Sequence, residues 1–298
     1  MTWLLFAILS PFLYSVTNYI QKYLIDKRIN NSTNIAILGG FFSFILGFFI
    51  LVLYGFPFPR INNLLLLLIA GMLSFLYLIP FLKALSFDDA SRVVPLFQFT
   101  PVITLLLSFI ILHETLSLSQ CMAFVFILFG GFLLGGEKTG KGIFRLRKSF
   151  WFMMLACFFD ACVVVLYKYA QVPHQYWVST AYLEIGVGFG TFLALLSPSV
   201  RQSFQLEWTA IRGLWQILLI NKMIDFTAGL LVLYATLLAP VALVTVFYGI
   251  QPFFLLVEGI ILTLWFPRFI KEDLGKKTIG LKIVSVVIIS IGVYLLAR

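Results

Sequence analysis

Five ionisable residues stand inside long apolar segments of this 298-residue chain, where water to solvate them is scarce. They are Asp160, Glu184, Lys222, Asp225 and Glu258. A charged side chain at the centre of a bilayer costs on the order of 3 kcal/mol or more unless it is paired or hydrated, so such residues predict substrate, ion or proton sites. The chemistry that they favour is binding of a cation and exchange of a proton.

Lys222 and Asp225 are three residues apart in the stretch LLINKMIDFTAGLL. On a helix they share a face and can pair, and this pairing alone would explain both charges without any function. One lysine cannot neutralise four carboxylates, however, so Asp160, Glu184 and Glu258 must face other partners, water or protons. We expect some of these acids to line a central, water-filled cavity, while structural pairing remains open for each.

Polar aromatic and amide side chains form a second set of candidate ligand-binding residues. Tyrosine rings bind cations by their faces, and hydroxyl and amide groups orient polar ligands, although tyrosines near span ends also anchor helices at the membrane interface. The set is Tyr14, Asn18, Tyr77, Gln98, Tyr167, Tyr234, Tyr248 and Gln251. Pro101 and Pro252 are predicted hinges, because proline removes a helical hydrogen bond and bends a helix.

The sequence favours neither an enzyme nor a metal or cofactor protein. Its two histidines, His113 and His174, lie in separate segments, and its three cysteines all fall within apolar stretches. We find no nucleophile with a neighbouring base and no glycine-rich phosphate loop. The three cysteines are therefore expected to serve packing.

Composition places the chain in a membrane. Hydrophobic residues make up 61% of it and charged residues 11%, which leaves too little polar surface for a soluble protein of this length. The apolar runs are about 20 residues long, as transmembrane helices require. The first run lacks a basic flank and a cleavage site, so we expect it to be a retained helix rather than a signal peptide.

Ten apolar spans are predicted, in two halves of five. The expected fold is all-α and integral to the membrane, with residues 1–136 as the first repeat, 137–149 as a basic connecting loop and 150–298 as the second repeat. The spans are 3–25, 33–54, 63–85, 90–112, 117–135, 150–170, 176–197, 212–237, 241–265 and 279–297.

The two halves align with one another. Pro101 falls on Pro252 without a gap across the surrounding 25 residues, and Lys22 and Tyr23 fall on Lys168 and Tyr169. An odd number of spans in each copy gives the copies opposite orientations, which is the inverted-repeat plan of secondary transporters. Chance similarity between helices rich in leucine and phenylalanine is the alternative.

Residues 84–135 resemble the EamA-type repeat of the drug/metabolite transporter superfamily. The matching positions are Ala84, Pro101, Glu114, Gln120 and the pair Gly130/Gly131, whereas the second copy departs from the pattern with Trp265 in place of Glu114. The resemblance implies ten helices in two inverted five-helix repeats and transport of a small metabolite through a central cavity. In that architecture spans 6, 7 and 8 converge, which favours Asp160, Glu184 and Asp225 as site residues.

Charge indicates lipid rather than nucleic acid as the partner of this basic chain, whose net charge is +9. Of 21 lysines and arginines, 17 belong to the end that holds the loops after spans 1, 3, 5, 7 and 9, here called the basic end. The positive-inside rule makes that end cytoplasmic and both termini external. The family resemblance implies cytoplasmic termini, so the orientation stays open.

The sequence therefore predicts a secondary transporter in a bacterial cytoplasmic membrane. It moves an amine-bearing, cationic or amino-acid-like metabolite by alternating access, and coupling of this transport to proton movement is one possible form of the mechanism. A carrier or exchanger of a neutral, anionic or nucleotide-type metabolite is an open alternative if Lys83, Arg92 or Lys222 faces the cavity. A non-transport membrane scaffold is a second alternative. Two fused repeats remove the need to dimerise, so a monomer is expected.

Overall fold

The computed structural model is helical over most of the residues that it describes. It describes residues 2–100, 102–103, 106–107, 119, 122, 125–126, 129–130, 133, 136–138, 144–171, 175–238, 250–270 and 275–296. Most of predicted span 5 and part of span 4 therefore lie outside the described residues, as do residues 241–249 of span 9.

Three long helices begin the first half: α1 (Thr2–Lys27), α2 (Thr33–Leu53) and α3 (Ile61–Phe87). They agree with the first three predicted spans to within a few residues, because continuous apolar runs of this length have no other way to satisfy their backbone in a membrane. A short helix α4 (Ala90–Val93) and a 3₁₀ helix (Val94–Gln98) then open the fourth span.

The second half contains six helices in its described part: α5 (Lys148–Ala170), α6 (Tyr176–Leu195), α7 (Pro198–Gly213), α8 (Trp215–Leu238), α9 (Gln251–Trp265) and α10 (Lys276–Leu296). Between the halves, strands β1 (Gly136–Lys138) and β2 (Phe144–Leu146) form an antiparallel hairpin in which Gly136 faces Leu146. The connecting loop was expected to lack regular structure, so the hairpin corrects the all-α prediction at this one place.

Helix α7 was not predicted, because its polar composition resembles a loop more than an apolar span. Pro198 occupies the first turn, where proline needs no hydrogen-bond donor, and Ile211 is buried while most of the helix surface is exposed. The chain turns by 89° between α7 and α8. Helix α7 is therefore a separate amphipathic element rather than an extension of the eighth span.

Four described helices are long and apolar enough to cross a membrane: Thr33–Leu53, Ile61–Phe87, Lys148–Tyr167 and Tyr176–Leu195. The bent pair of α7 and α8 adds a fifth if it is counted as one span, and the apolar parts of α9 and α10 are shorter. These helices make the protein a multi-pass integral membrane protein. The count of ten spans stays a prediction.

Helices from the two halves interleave rather than forming two separate bundles. Helix α3 packs on α5 and α6, α2 packs on α6, and α1 packs on α8. One large cluster of buried side chains runs through these contacts, including Leu24, Leu85, Met153 and Leu255. Charged residues on one half are thereby brought within reach of the other.

Glycines set the distance between α3 and α6. A Cβ atom on Gly71 would overlap the backbone of Leu183 and lie 2.6 Å from the Cα of Gly186, and one on Gly190 would lie 2.9 Å from the Cβ of Phe75. Gly71, Gly186 and Gly190 therefore allow the two helices to approach closely.

We expect Gly71→Ala to lower the stability of the folded bundle, because the backbone of α6 must move to admit the methyl group. Overpacking of this kind costs about 1–3 kcal/mol. The measurement is the midpoint temperature of unfolding in detergent, followed by size-exclusion chromatography. Gly39→Ala on α2 is the matched control, since a Cβ atom there meets nothing within 4 Å. Equal midpoints for the two variants would contradict the expected role of Gly71.

Candidate functional site

The central feature of the second half is a buried cluster of three charges, here called the ion cluster: Glu184 on α6 with Lys222 and Asp225 on α8. The Nζ of Lys222 lies 3.1 Å from Oε2 of Glu184 and 3.9 Å from Oδ2 of Asp225. The side chains of Lys222 and Glu184 are 14% and 11% exposed, and that of Asp225 is 35% exposed. The closer partner of Lys222 is thus on a different helix, which sequence spacing did not reveal.

Hydroxyl groups extend the ion cluster along α6. The hydroxyls of Tyr167 and Thr180 are 3.2 Å apart, and Thr180 lies one turn before Glu184. Tyr176 lies one turn earlier still, within interaction range of Thr180 and Glu184. Tyr167 was predicted, whereas Thr180 and Tyr176 were missed, although the spacing of four residues between 176, 180 and 184 was visible in the sequence.

Tyr14 approaches the ion cluster from α1. Its hydroxyl oxygen lies 3.4 Å from the position of a Cβ atom built on Gly229, one helical turn beyond Asp225 on α8. The same helix pair is joined where Ser10 donates a hydrogen bond of 2.8 Å to the carbonyl oxygen of Ala228. The predicted residues Glu184, Lys222 and Asp225 therefore meet in one cluster, and Tyr14 lies about one helical turn along α8 from it.

Glu258 belongs to a different contact, between α9 and α1. Ser15 donates a hydrogen bond of 2.7 Å to Oε1 of Glu258, and one turn away the hydroxyl of Tyr19 donates one of 2.7 Å to the carbonyl oxygen of Leu255. Glu258 was predicted as a site residue, and the structure gives it a neutral partner on the other half of the chain. A carboxyl group in this setting can hold or release a proton without breaking an ion pair.

Asp160 lies on α5 against the fourth span rather than in the ion cluster. Its neighbours are Thr100 and Cys157, and the thiol of Cys157 donates a hydrogen bond of 3.3 Å to the carbonyl oxygen of Leu96. The predicted residue Gln98 is buried close by in the chain. These contacts are separate from the salt bridges of the ion cluster, and the site role of Asp160 stays a prediction.

The remaining predicted residues have mixed outcomes. Asn18 is buried on α1, and Tyr77 packs its ring edge against Phe97 with centroids 6.3 Å apart. Gln251 is buried at the start of α9. Pro252 lies in the first turn of that helix, where proline costs no hydrogen bond, and its role as a hinge stays a prediction. Three further predictions lie outside the described residues: Pro101, Tyr248 and the side chain of Tyr234.

A second group of charges, which the sequence did not reveal as a set, joins the two halves at the basic end. The Nζ of Lys282 on α10 lies 3.2 Å from Oδ2 of Asp89, and Lys282 is only 1% exposed. Arg147 contacts both carboxylate oxygens of Asp88 at 3.0 Å, and Ser149 donates a further bond of 3.1 Å to Asp88. We call these two contacts the end clamp.

Other polar contacts at the basic end reinforce it. Lys22 on α1 donates a hydrogen bond of 2.7 Å to the carbonyl oxygen of Leu85 on α3 and pairs with Asp26 at 3.1 Å. Asn34 at the start of α2 donates one of 2.8 Å to Glu207 on α7. In the part of the chain that the structure describes, the basic end is thus closed by contacts between segments far apart in sequence.

A metal site finds no support in these contacts: within the described ranges, no three His, Cys, Asp or Glu residues gather as metal ligands would. Residues 1–136 match the model of the EamA-like transporter family. This match over the first part of the chain confirms the resemblance found in the sequence.

Comparison with individual proteins adds the following. None of the curated proteins matches the chain. A solved structure titled "Crystal structure of protein" is similar to it with 14% sequence identity and a TM-score of 0.49, over 98% of this chain and 97% of that chain.

Proposed function

We propose that this protein is a secondary transporter that moves a small amine-bearing, cationic or amino-acid-like metabolite across a bacterial cytoplasmic membrane by alternating access. The observation that carries the proposal is the ion cluster, which lies between two membrane helices of a chain whose first half is EamA-like. Three ionisable groups inside a membrane cost free energy unless they are paired or hydrated, so they are by default candidates for a binding site.

The charges of the ion cluster favour a cationic group on the substrate. Two carboxylates face one ammonium, and Glu184 is the nearer partner of Lys222. Asp225 is left with the longer contact and the greatest exposure of the three, so it is the group best able to receive an amine. Tyr14, one turn along α8 from Asp225, can add a hydroxyl or a ring face to the same ligand.

The helix contacts support the inverted-repeat plan. If α1 and α3 correspond to α5 and α8, the pair α3–α5 in one copy becomes the pair α8–α1 in the other, and both pairs are among the most extensive in the bundle. Helices α2 and α6 correspond to one another and also pack together, as elements on a pseudo-twofold axis would. This arrangement suits rocking of one repeat against the other around a central site.

The end clamp supplies the closed side that alternating access requires. Lys282 and Asp89 belong to different halves, so the basic end can open only when this pair and the Arg147–Asp88 pair separate. In this proposal, substrate enters and leaves from the opposite end while the end clamp is closed.

Transport by the ion cluster is tested in proteoliposomes with an imposed pH gradient. We expect a radiolabelled amine or amino acid from a panel of amines, amino acids, polyamines and nucleotide-like metabolites to accumulate, and Asp225→Asn to reduce its uptake at least tenfold through a raised KM. Asp26→Asn, which changes an exposed carboxylate paired with the buried Lys22 at the basic end, is the control. Uptake of an anionic metabolite that survives Asp225→Asn but not Lys222→Met would favour the anion-carrier alternative.

Proton coupling is assigned to Glu258 in this proposal, because its partner Ser15 is neutral and its proton can leave without breaking an ion pair. In the same vesicles, substrate-driven proton movement should disappear in Glu258→Gln while downhill exchange of labelled substrate continues. Proton movement at the wild-type ratio in that variant would remove Glu258 from the coupling mechanism.

A further inference from the structure

Helix α7 carries a stripe of exposed side chains that no part of the transport mechanism uses. Arg201, Trp208 and Arg212 are spaced seven and four residues apart, so they line up along one side of the helix. All three are exposed, Trp208 by 48%. Trp215, 51% exposed, follows at the start of α8, beyond the bend between the two helices.

The side of α7 that carries Glu207 and Ile211 is tied to the protein, and the stripe lies about 100° around the helix from it. Glu207, the one acidic residue of the helix, accepts hydrogen bonds of 2.8 Å from the side chain of Asn34 and 3.1 Å from the backbone of Asn31. Ile211 is buried in the main core. Because Glu207 faces the protein, the exposed stripe carries only positive charge.

The position of α7 places this stripe at a membrane surface. The chain bends by 89° where α7 meets α8, so if α8 crosses the bilayer, α7 lies in the plane of its surface. Amphipathic helices in this plane carry arginines beside an aromatic residue, the arginines contacting lipid phosphates and the indole lying at headgroup level.

We propose that α7 is an anchor for anionic phospholipid headgroups, held by Arg201 and Arg212 with Trp208 inserted between them. Charge complementarity selects this partner, since two cations beside an indole fit a negatively charged lipid surface better than a zwitterionic one. The anchor is independent of what the protein transports. It also assigns the basic end to the anionic leaflet, in agreement with the positive-inside rule and against cytoplasmic termini.

Hydrogen–deuterium exchange in lipid nanodiscs tests the anchor. In the wild-type protein, amides of residues 198–213 should exchange up to about 30-fold more slowly with phosphatidylglycerol than with phosphatidylcholine, as expected for two arginines at an anionic surface. High salt should remove most of the difference. Exchange that is the same in both lipids would overturn the proposal without any variant being made.

Two charge-matched variants show whether the stripe is responsible. Arg201→Gln/Arg212→Gln should lose the lipid dependence of residues 198–213, whereas Arg268→Gln/Lys277→Gln, which removes two exposed cations elsewhere on the basic end, should keep it. Arg201→Lys/Arg212→Lys serves if the glutamine variant does not fold, and it should retain the dependence. Equal loss of the lipid dependence in both glutamine variants would indicate a general effect of net charge and would overturn the proposed anchor.

Discussion

Lys222→Met is expected to abolish uptake of the transported amine and to destabilise the protein. The substitution leaves Glu184 and Asp225 facing one another with the cation between them removed, and stripping one partner from a buried ion pair costs about 3–5 kcal/mol. Uptake in proteoliposomes should fall more than 100-fold. The unfolding midpoint in detergent should fall as well.

Removing the opposing acid separates the structural effect from the functional one. Lys222→Met/Glu184→Gln removes the cation together with its nearer and more buried partner, and leaves only Asp225, which is 35% exposed, without its ion pair. The double variant should therefore regain most of the lost stability and remain inactive in uptake. Lys277→Met, which changes an exposed lysine at the start of α10, is the matched control and should alter neither property by more than twofold. Wild-type uptake by Lys222→Met would show that the ion cluster only holds the helices together.

The sequence predicted the parts of the fold that depend on local composition. Helices α2, α3, α5 and α6 lie where apolar runs of bilayer length lie, because such runs are sufficient to define a membrane helix. Helix α7 was missed because it has no long apolar run. Its residues are polar, and its helical form depends on burial of Ile211 and on the bonds of Glu207 to Asn31 and Asn34, which are distant in sequence.

In the candidate site, too, the sequence predicted the contact within one helix but not the contacts between helices. Helical periodicity predicted that Lys222 shares a face with Asp225, and that contact exists at 3.9 Å. The nearer partner, Glu184, comes from another helix, α6. How closely α6 packs on α3 at Gly71 and Gly186 depends on both helices, so no single span predicts it. Asp160 was predicted from its place in an apolar span, and its neighbour Thr100 on the fourth span could not be predicted from that place.

Asp89→Asn is expected to open the basic end of the transporter. Lys282 is almost fully buried, and Asp89 is its partner across the two halves at 3.2 Å, so the closed state loses a charge-assisted contact that the open state does not have. A bias of ~1.4 kcal/mol corresponds to a tenfold change in the ratio of the two states. We therefore expect at least a tenfold larger open population.

Accessibility of a single cysteine reports the change. Ser285 lies three residues beyond Lys282 on α10 and is fully buried, so Ser285→Cys in a background with serine at positions 121, 157 and 162 should react slowly with a water-soluble maleimide. Adding Asp89→Asn should speed the reaction at least tenfold, and an excess of transported amine should change that rate because it shifts the same equilibrium.

Asp26→Asn is the matched control for the effect of Asp89→Asn on the labelling rate. Asp26 pairs with Lys22 at the same end, but both residues belong to α1, so breaking that pair removes an equal charge without releasing one half of the bundle from the other. Exchanging the partners, as in Asp89→Lys/Lys282→Asp, should restore slow labelling if attraction between them holds the end closed. If Asp26→Asn accelerates labelling as much as Asp89→Asn does, the pair is one surface contact among several, and the barrier at the basic end must be sought in the apolar packing of α3 against α5.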